Sequence, residues 1–157
     1  MALSLNQFAP NAQVAGLYAY QANLPQPHNL IVSANQATAL VAGAIITIDS
    51  SSTNKNAPVI KQAAVTDRIF GVITFNPTVK GNSYAAGSRC SAAKDGDVVW
   101  LPAAGAISAG ATLYFNSSNK VTSSATPGNS IVGVALTPAA QADDLIQVEL
   151  HFETTSA

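Results

Sequence analysis

Charge is the scarcest property of this 157-residue chain. Lys and Arg number seven and Asp and Glu eight, a tenth of all residues, where an ordinary soluble domain carries about a quarter. The basic residues Lys55, Lys61, Arg68, Lys80, Arg89, Lys94 and Lys120 are scattered singly. They form no stripe that could neutralise a phosphate backbone, so no nucleic acid partner is expected. Cysteine occurs once, at Cys90, which excludes an intrachain disulfide and leaves packing or assembly to hold the fold. No apolar run approaches the roughly 20 residues of a spanning helix, and no membrane partner is expected. The basic start and long apolar core of a signal peptide are also missing, so synthesis in the cytoplasm is expected.

The groups that do chemistry are equally sparse. His28 and His151 are the only histidines, and no third ligand accompanies them; they read as surface residues. Cys90 follows Arg89, but neighbours on a strand point to opposite faces, so a small buried thiol fits better than an activated nucleophile. Asp95 and Asp97 in KDGD lack the further oxygen ligands and closing Glu of a calcium loop and are read as turn residues. Asp143 and Asp144 read likewise as a solvated turn. No phosphate loop, nucleophile elbow or zinc-protease motif occurs. No catalytic, cofactor-binding or metal site, and no small-molecule substrate, is expected.

What the chain does have is strand signal. AIITI (44–48), RIFGVITF (68–75), DVVWL (97–101), ATLYF (111–115), SIVGVAL (130–136) and LIQVELHF (145–152) are short, rich in β-branched and aromatic residues, and mostly bounded by Gly, Pro or Asn. In the last, Ile146, Val148, Leu150 and Phe152 alternate with polar residues, as a half-buried strand requires. Asp-Gly in KDGD predicts a hairpin between SRCSAA and DVVWL, and NSSNK (116–120) a second one after ATLYF. SSSTNKNAP (50–58) reads as an exposed loop. The class is all-β, a small β-barrel or sandwich. Trp100, Tyr114 and Phe115 are assigned to the core or a subunit interface, against the alternative of a stacking platform for sugars or bases.

Two signatures recur in the same order. ALVAGAII (39–46) resembles AISAGATL (106–113), and IFGVIT (69–74) resembles IVGVAL (131–136). They indicate either an internal duplication or chance matches in an Ala-rich chain. Under duplication, Gly71 and Gly133 mark a bulge or a close backbone approach.

The first 38 residues stand apart. No charged side chain precedes Asp49, and Pro25 and Pro27 favour an extended path. The reading is an extended N-terminal arm (1–38) leaving a β-domain (39–157).

The pieces ALVAGAIITI, TDRIFGVITFNPTVKGNSYAAGS, DVVWLPAAGAISAGATLYF and IVGVALTPAAQADDLIQVEL, in that order, resemble the capsid decoration (cement) proteins of tailed bacteriophages. The resemblance implies a compact β-barrel or β-tulip-like domain, often a homotrimer, on the outer capsid surface of the virion. It implies the major capsid protein as partner and a structural role without catalysis or cofactor. An arm that adds as a strand to a capsid subunit must bury its side chains, where Lys or Glu would be costly unless paired. Leu3, Leu5, Phe8, Val14, Leu17, Tyr18 and Tyr20 are the expected contacts. Such a protein would bridge capsid subunits against the pressure of packaged DNA. The competing reading is a receptor-binding or adhesive β-module of a tail or surface structure, using Trp100 or Tyr114.

Overall fold

A computed structural model of the chain describes residues 14–20 and 29–154. The described residues hold fourteen strands and, among elements of helical type, a single 3-10 turn at Lys80–Asn82. The strands are β1 (Tyr18–Tyr20), β2 (Leu30–Val32), β3 (Leu40–Val41), β4 (Ile45–Ile48), β5 (Val59–Gln62), β6 (Gly71–Ile73) and β7 (Ser83–Tyr84). They continue with β8 (Arg89–Cys90), β9 (Ala92–Ala93), β10 (Val98–Pro102), β11 (Thr112–Phe115), β12 (Val121–Thr122), β13 (Ser130–Ala135) and β14 (Leu145–Thr154). Every segment expected as a strand contains one. One six-stranded sheet runs β8-β2-β5-β4-β6-β9, another β1-β10-β14-β13-β11-β12, and β3 pairs with β7.

The fold is all-β, but no sheet closes into the expected barrel. In the first sheet the edge strands β8 and β9 are separated only by Ser91, so the sheet curls back towards its own start. In the second, β12 meets the end of β10 through one parallel bridge, Ala103 to Val121, in place of a ladder. Strands this short, with register shifts in the β11–β13 and β13–β14 pairs, bend sharply without completing the pairing.

The internal echo is a structural duplication. Ile45 pairs with Val72 and Ile46 with Gly71; at the corresponding places Thr112 pairs with Val134 and Leu113 with Gly133. The turns ahead of these strands match bond for bond. Gly43 N–H donates to the Ile73 carbonyl at 2.8 Å, and Gly110 N–H to that of Ala135 at 2.7 Å. Both glycines have positive φ, +86° and +83°, a conformation that Cβ-bearing residues avoid. Correspondence reaches beyond the echo: Ser33 N–H to Ile60 matches Ala104 N–H to Val121, and Val32 N–H to Ser88 matches Ala103 N–H to Asp144. The described residues from Leu30 onward hold two copies of one curled unit.

Each half has its own interior, and the two interiors superimpose by register. Leu30, Val32, Ile46, Ile60, Cys90 and Ala92 line the first; Leu101, Ala103, Leu113, Val121, Ile146 and Val148 take the same places in the second. The second interior is larger because it merges with the junction between the halves. There Ile45, Val72 and Ala93 of the first half share one cluster with Phe115, Val132 and Leu150 of the second. Each such large side chain removed from water contributes about 1.5–3 kcal/mol.

Two expectations need correction. KDGD makes a turn, with Asp97 N–H donating to Lys94 O at 3.1 Å, yet β9 and β10 are not a hairpin. β9 pairs with β6 and β10 with β1 and β14, so the turn carries the chain from one sheet to the other. The stretch 1–38 is also not all arm: β1 is an edge strand of the second sheet, and β2 lies between β8 and β5 in the first. Both are three residues long, too short to show alternation. NSSNK does join a hairpin, β11 to β12, with Asn116 N–H donating to Lys120 O.

Candidate functional site

Of the expected contact residues, Leu3, Leu5 and Phe8 lie outside the described residues, as does His28. Val14 to Tyr20 lie across the junction of the two halves. Gly16 N–H donates to Trp100 O at 2.8 Å, Trp100 N–H to Leu17 O at 2.9 Å, and Phe75 N–H to Gly16 O at 3.0 Å. Trp100 belongs to the second half and Phe75 to the first, so Gly16 ties one to the other. Leu17 N–H closes a turn on Val14 O at 3.0 Å. Gly16 has φ +74°, and a Cβ on it would stand 2.5 Å from Ile73 O and 2.6 Å from Gly43 N. Only glycine fits such a backbone-to-backbone approach. Beyond it Tyr18 and Tyr20 pair with Val99 and Val98, and β1 ends the sheet. Its outer edge has no partner strand among the described residues, the arrangement to which another chain can add a strand.

The three aromatics separate. Phe115 is buried at 1% exposure, whereas Trp100 and Tyr114 are half-buried on β10 and β11. The backbone of Trp100 is held on one side by Gln147 and on the other by Gly16 and Leu17. Sequence reasoning missed that tie, although a glycine inside an otherwise unpatterned arm was its one signal.

Among the described residues the chemically capable side chains are spread apart. Cys90 is buried, and desolvation pushes its thiol up to about 11, away from the thiolate that a nucleophile needs. Tyr84, beside it in the same cluster, is also raised, first by burial and then by that thiol. His151 is exposed and meets Glu153 at 2.9 Å. Asp143 forms an ion pair with Lys120 at 2.6 Å, and Asp144 accepts from the N–H groups of Ala140 and Gln141. Asp95 accepts from Phe152 N–H at 2.8 Å. Among the described residues no group of three or more His, Cys, Asp or Glu side chains could hold a metal ion.

A polar groove of about 780 Å³ is bordered by Ser33, Asn35, Asp49, Asn54 and Val59. Asp49, buried along its lining, accepts from the Ser33 hydroxyl at 2.5 Å and the Ser51 hydroxyl at 2.7 Å. These bonds, with one from Ser51 N–H, hold its carboxyl at about 2. The groove's walls include loop 50–58, where the second half has only the short turn 117–119. The first half is therefore the elaborated one.

The described residues form a duplicated all-β unit, tied across its middle by the segment 14–20. Residues 25–150 match the phage cement protein family. The chain belongs to that family, and its place is the capsid of a phage virion. No curated protein matches the sequence.

Proposed function

We propose that the protein decorates the outside of the phage head as a homotrimer, bridges major capsid subunits and holds the shell against the pressure of packaged DNA. Family membership over residues 25–150 carries this reading. The uncharged chain ahead of Asp49 supports an attachment that proceeds through residues 1–20. An extended, neutral segment can add main-chain hydrogen bonds and place Leu3, Leu5 and Phe8 in dry contacts without desolvating a charge. Val14, Leu17, Tyr18 and Tyr20 form the root of that attachment, beside the tie of Gly16 and Leu17 to Trp100. Three such segments on one trimer raise the effective concentration of each, so that a weak single contact becomes a firm clamp.

DNA-filled heads with and without the protein provide the test. Heads carrying it should retain DNA through heating or osmotic shock that empties bare heads. Equal loss from both would contradict the cement role.

A further inference from the structure

The junction between the halves is head-to-tail, and that leaves one copy of each face unused. Within the chain, the row Ile45–Val72–Ala93 of the first half packs with Phe115, Val132 and Leu150 of the second. By register, the second half repeats the row as Thr112–Val134–Glu149, which faces outwards with Thr112 and Glu149 exposed. The first half repeats the opposing face as Ile48, Phe70 and Lys94, which line an open cleft of about 560 Å³. Ile48 is 42% exposed there. A heterologous contact of this kind propagates to the next copy unless something blocks it.

We propose that these two faces bind each other between copies of this chain, the Thr112–Val134–Glu149 row of one seating on the Ile48–Phe70–Lys94 cleft of the next. The substitutions relative to the internal junction are complementary in charge. Lys94 stands where the second half has the core residue Leu150, and Glu149 stands where the first half has Ala93. Lys94 Nζ donates to Phe70 O at 2.8 Å and lies over the Phe70 ring, with no carboxylate in an ion pair with it among the described residues. Arg68, Asp95 and Glu153 are the other charged groups of the cleft. Glu153 is engaged by His151, and Asp95 accepts from Phe152 N–H. Burial lowers the Lys94 amine to about 8, although the neighbouring Asp95 carboxylate pulls it upward, and a second carboxylate arriving from another copy would raise it further. Three chains closing a ring place six similar halves in succession. This deepens the trimer put forward above and does not depend on attachment to a capsid.

Sedimentation equilibrium of the full chain tests it, with Glu149→Lys, Lys94→Glu and the double variant. The wild type should give the mass of three chains. Each single variant should weaken association at least about tenfold, the double should recover most of it, and high salt should weaken the wild type. If Lys94→Glu fails to fold by circular dichroism, Lys94→Met takes its place, matching the Leu150 environment and losing the charge-dependent part. A wild type monomeric at its highest soluble concentration, a two-chain mass, or a trimer indifferent to Glu149→Lys would each overturn the proposal. Loss of head binding by Lys94→Met with the trimer intact would assign the cleft to an acidic capsid residue instead. Failure to bind heads by a chain that does form the ring contradicts the cement role and leaves this inference standing.

Discussion

Gly133 and Glu149 approach so closely that a Cβ built on Gly133 would stand 2.0 Å from the Glu149 carbonyl oxygen. The oxygen is backbone in the middle of β14, so it cannot swing aside. Gly71 holds the same place in the first half, with its Cβ position 2.7 Å from Ala93 O. Gly133→Ala should therefore destabilise by at least about 1–3 kcal/mol through overpacking, and Gly71→Ala by less. Urea melts of the two variants check the order. A Gly133→Ala protein as stable as wild type would refute the close approach.

Gly16 is the pivot of the tie between the halves. Gly16→Ala adds a methyl against Ile73 O and Gly43 N at a backbone of positive φ, so residues 14–20 should detach while the two curled units persist. Amide exchange should speed up at Trp100 and Phe75, whose N–H groups bond to Leu17 and Gly16, and stay slow at Val148 and Ile46. Uniform acceleration would mean that the segment is integral to the core.

Asp49 ties stability to acid pH. Its carboxyl sits at about 2 against an ordinary 3.8, chiefly through the Ser33 and Ser51 hydroxyls. A depressed carboxylate adds stability that is fully present above about pH 4 and is lost as pH falls through about 2. Ser33→Ala removes the largest cause, so the variant should be less stable than wild type above about pH 4, and the two should converge as pH falls to about 2. Urea melts followed by circular dichroism at several pH values check this, and equal stability at neutral pH would contradict it.

Removal of residues 2–13 spares the Gly16 tie. The shortened chain should fold and self-associate as wild type yet lose attachment to heads. Leu5→Lys or Phe8→Lys should approach the same loss, because an unpaired ammonium in a dry contact costs several kcal/mol. Co-sedimentation with full binding by the folded, shortened chain would move the contact to the β-domain.

Much of this was legible in the residues. β-Branched runs marked the strands of sheet interiors, and the alternation in LIQVELHF gave Ile146, Val148 and Leu150 as core. The repeat of Ala-Gly-Ala and Gly-Val foretold the duplication because a tight turn and a close approach each demand glycine at a fixed offset. Two- and three-residue strands such as β2 and β8 gave no periodicity to read. The Asp-Gly turn at 95–96 fixed local geometry without saying which sheet each flank joins, since that is decided by packing between the halves. Lys94 looked like an ordinary surface charge until its register with Leu150 was visible.

The central claim is that this chain binds phage heads. The most direct measurement is co-sedimentation of the purified protein with intact heads that lack it, titrated to saturation. The expected result is a saturable plateau at a fixed number of chains per head, with addition from outside the closed shell. No retained protein at any concentration, from a chain shown to be folded, would contradict it.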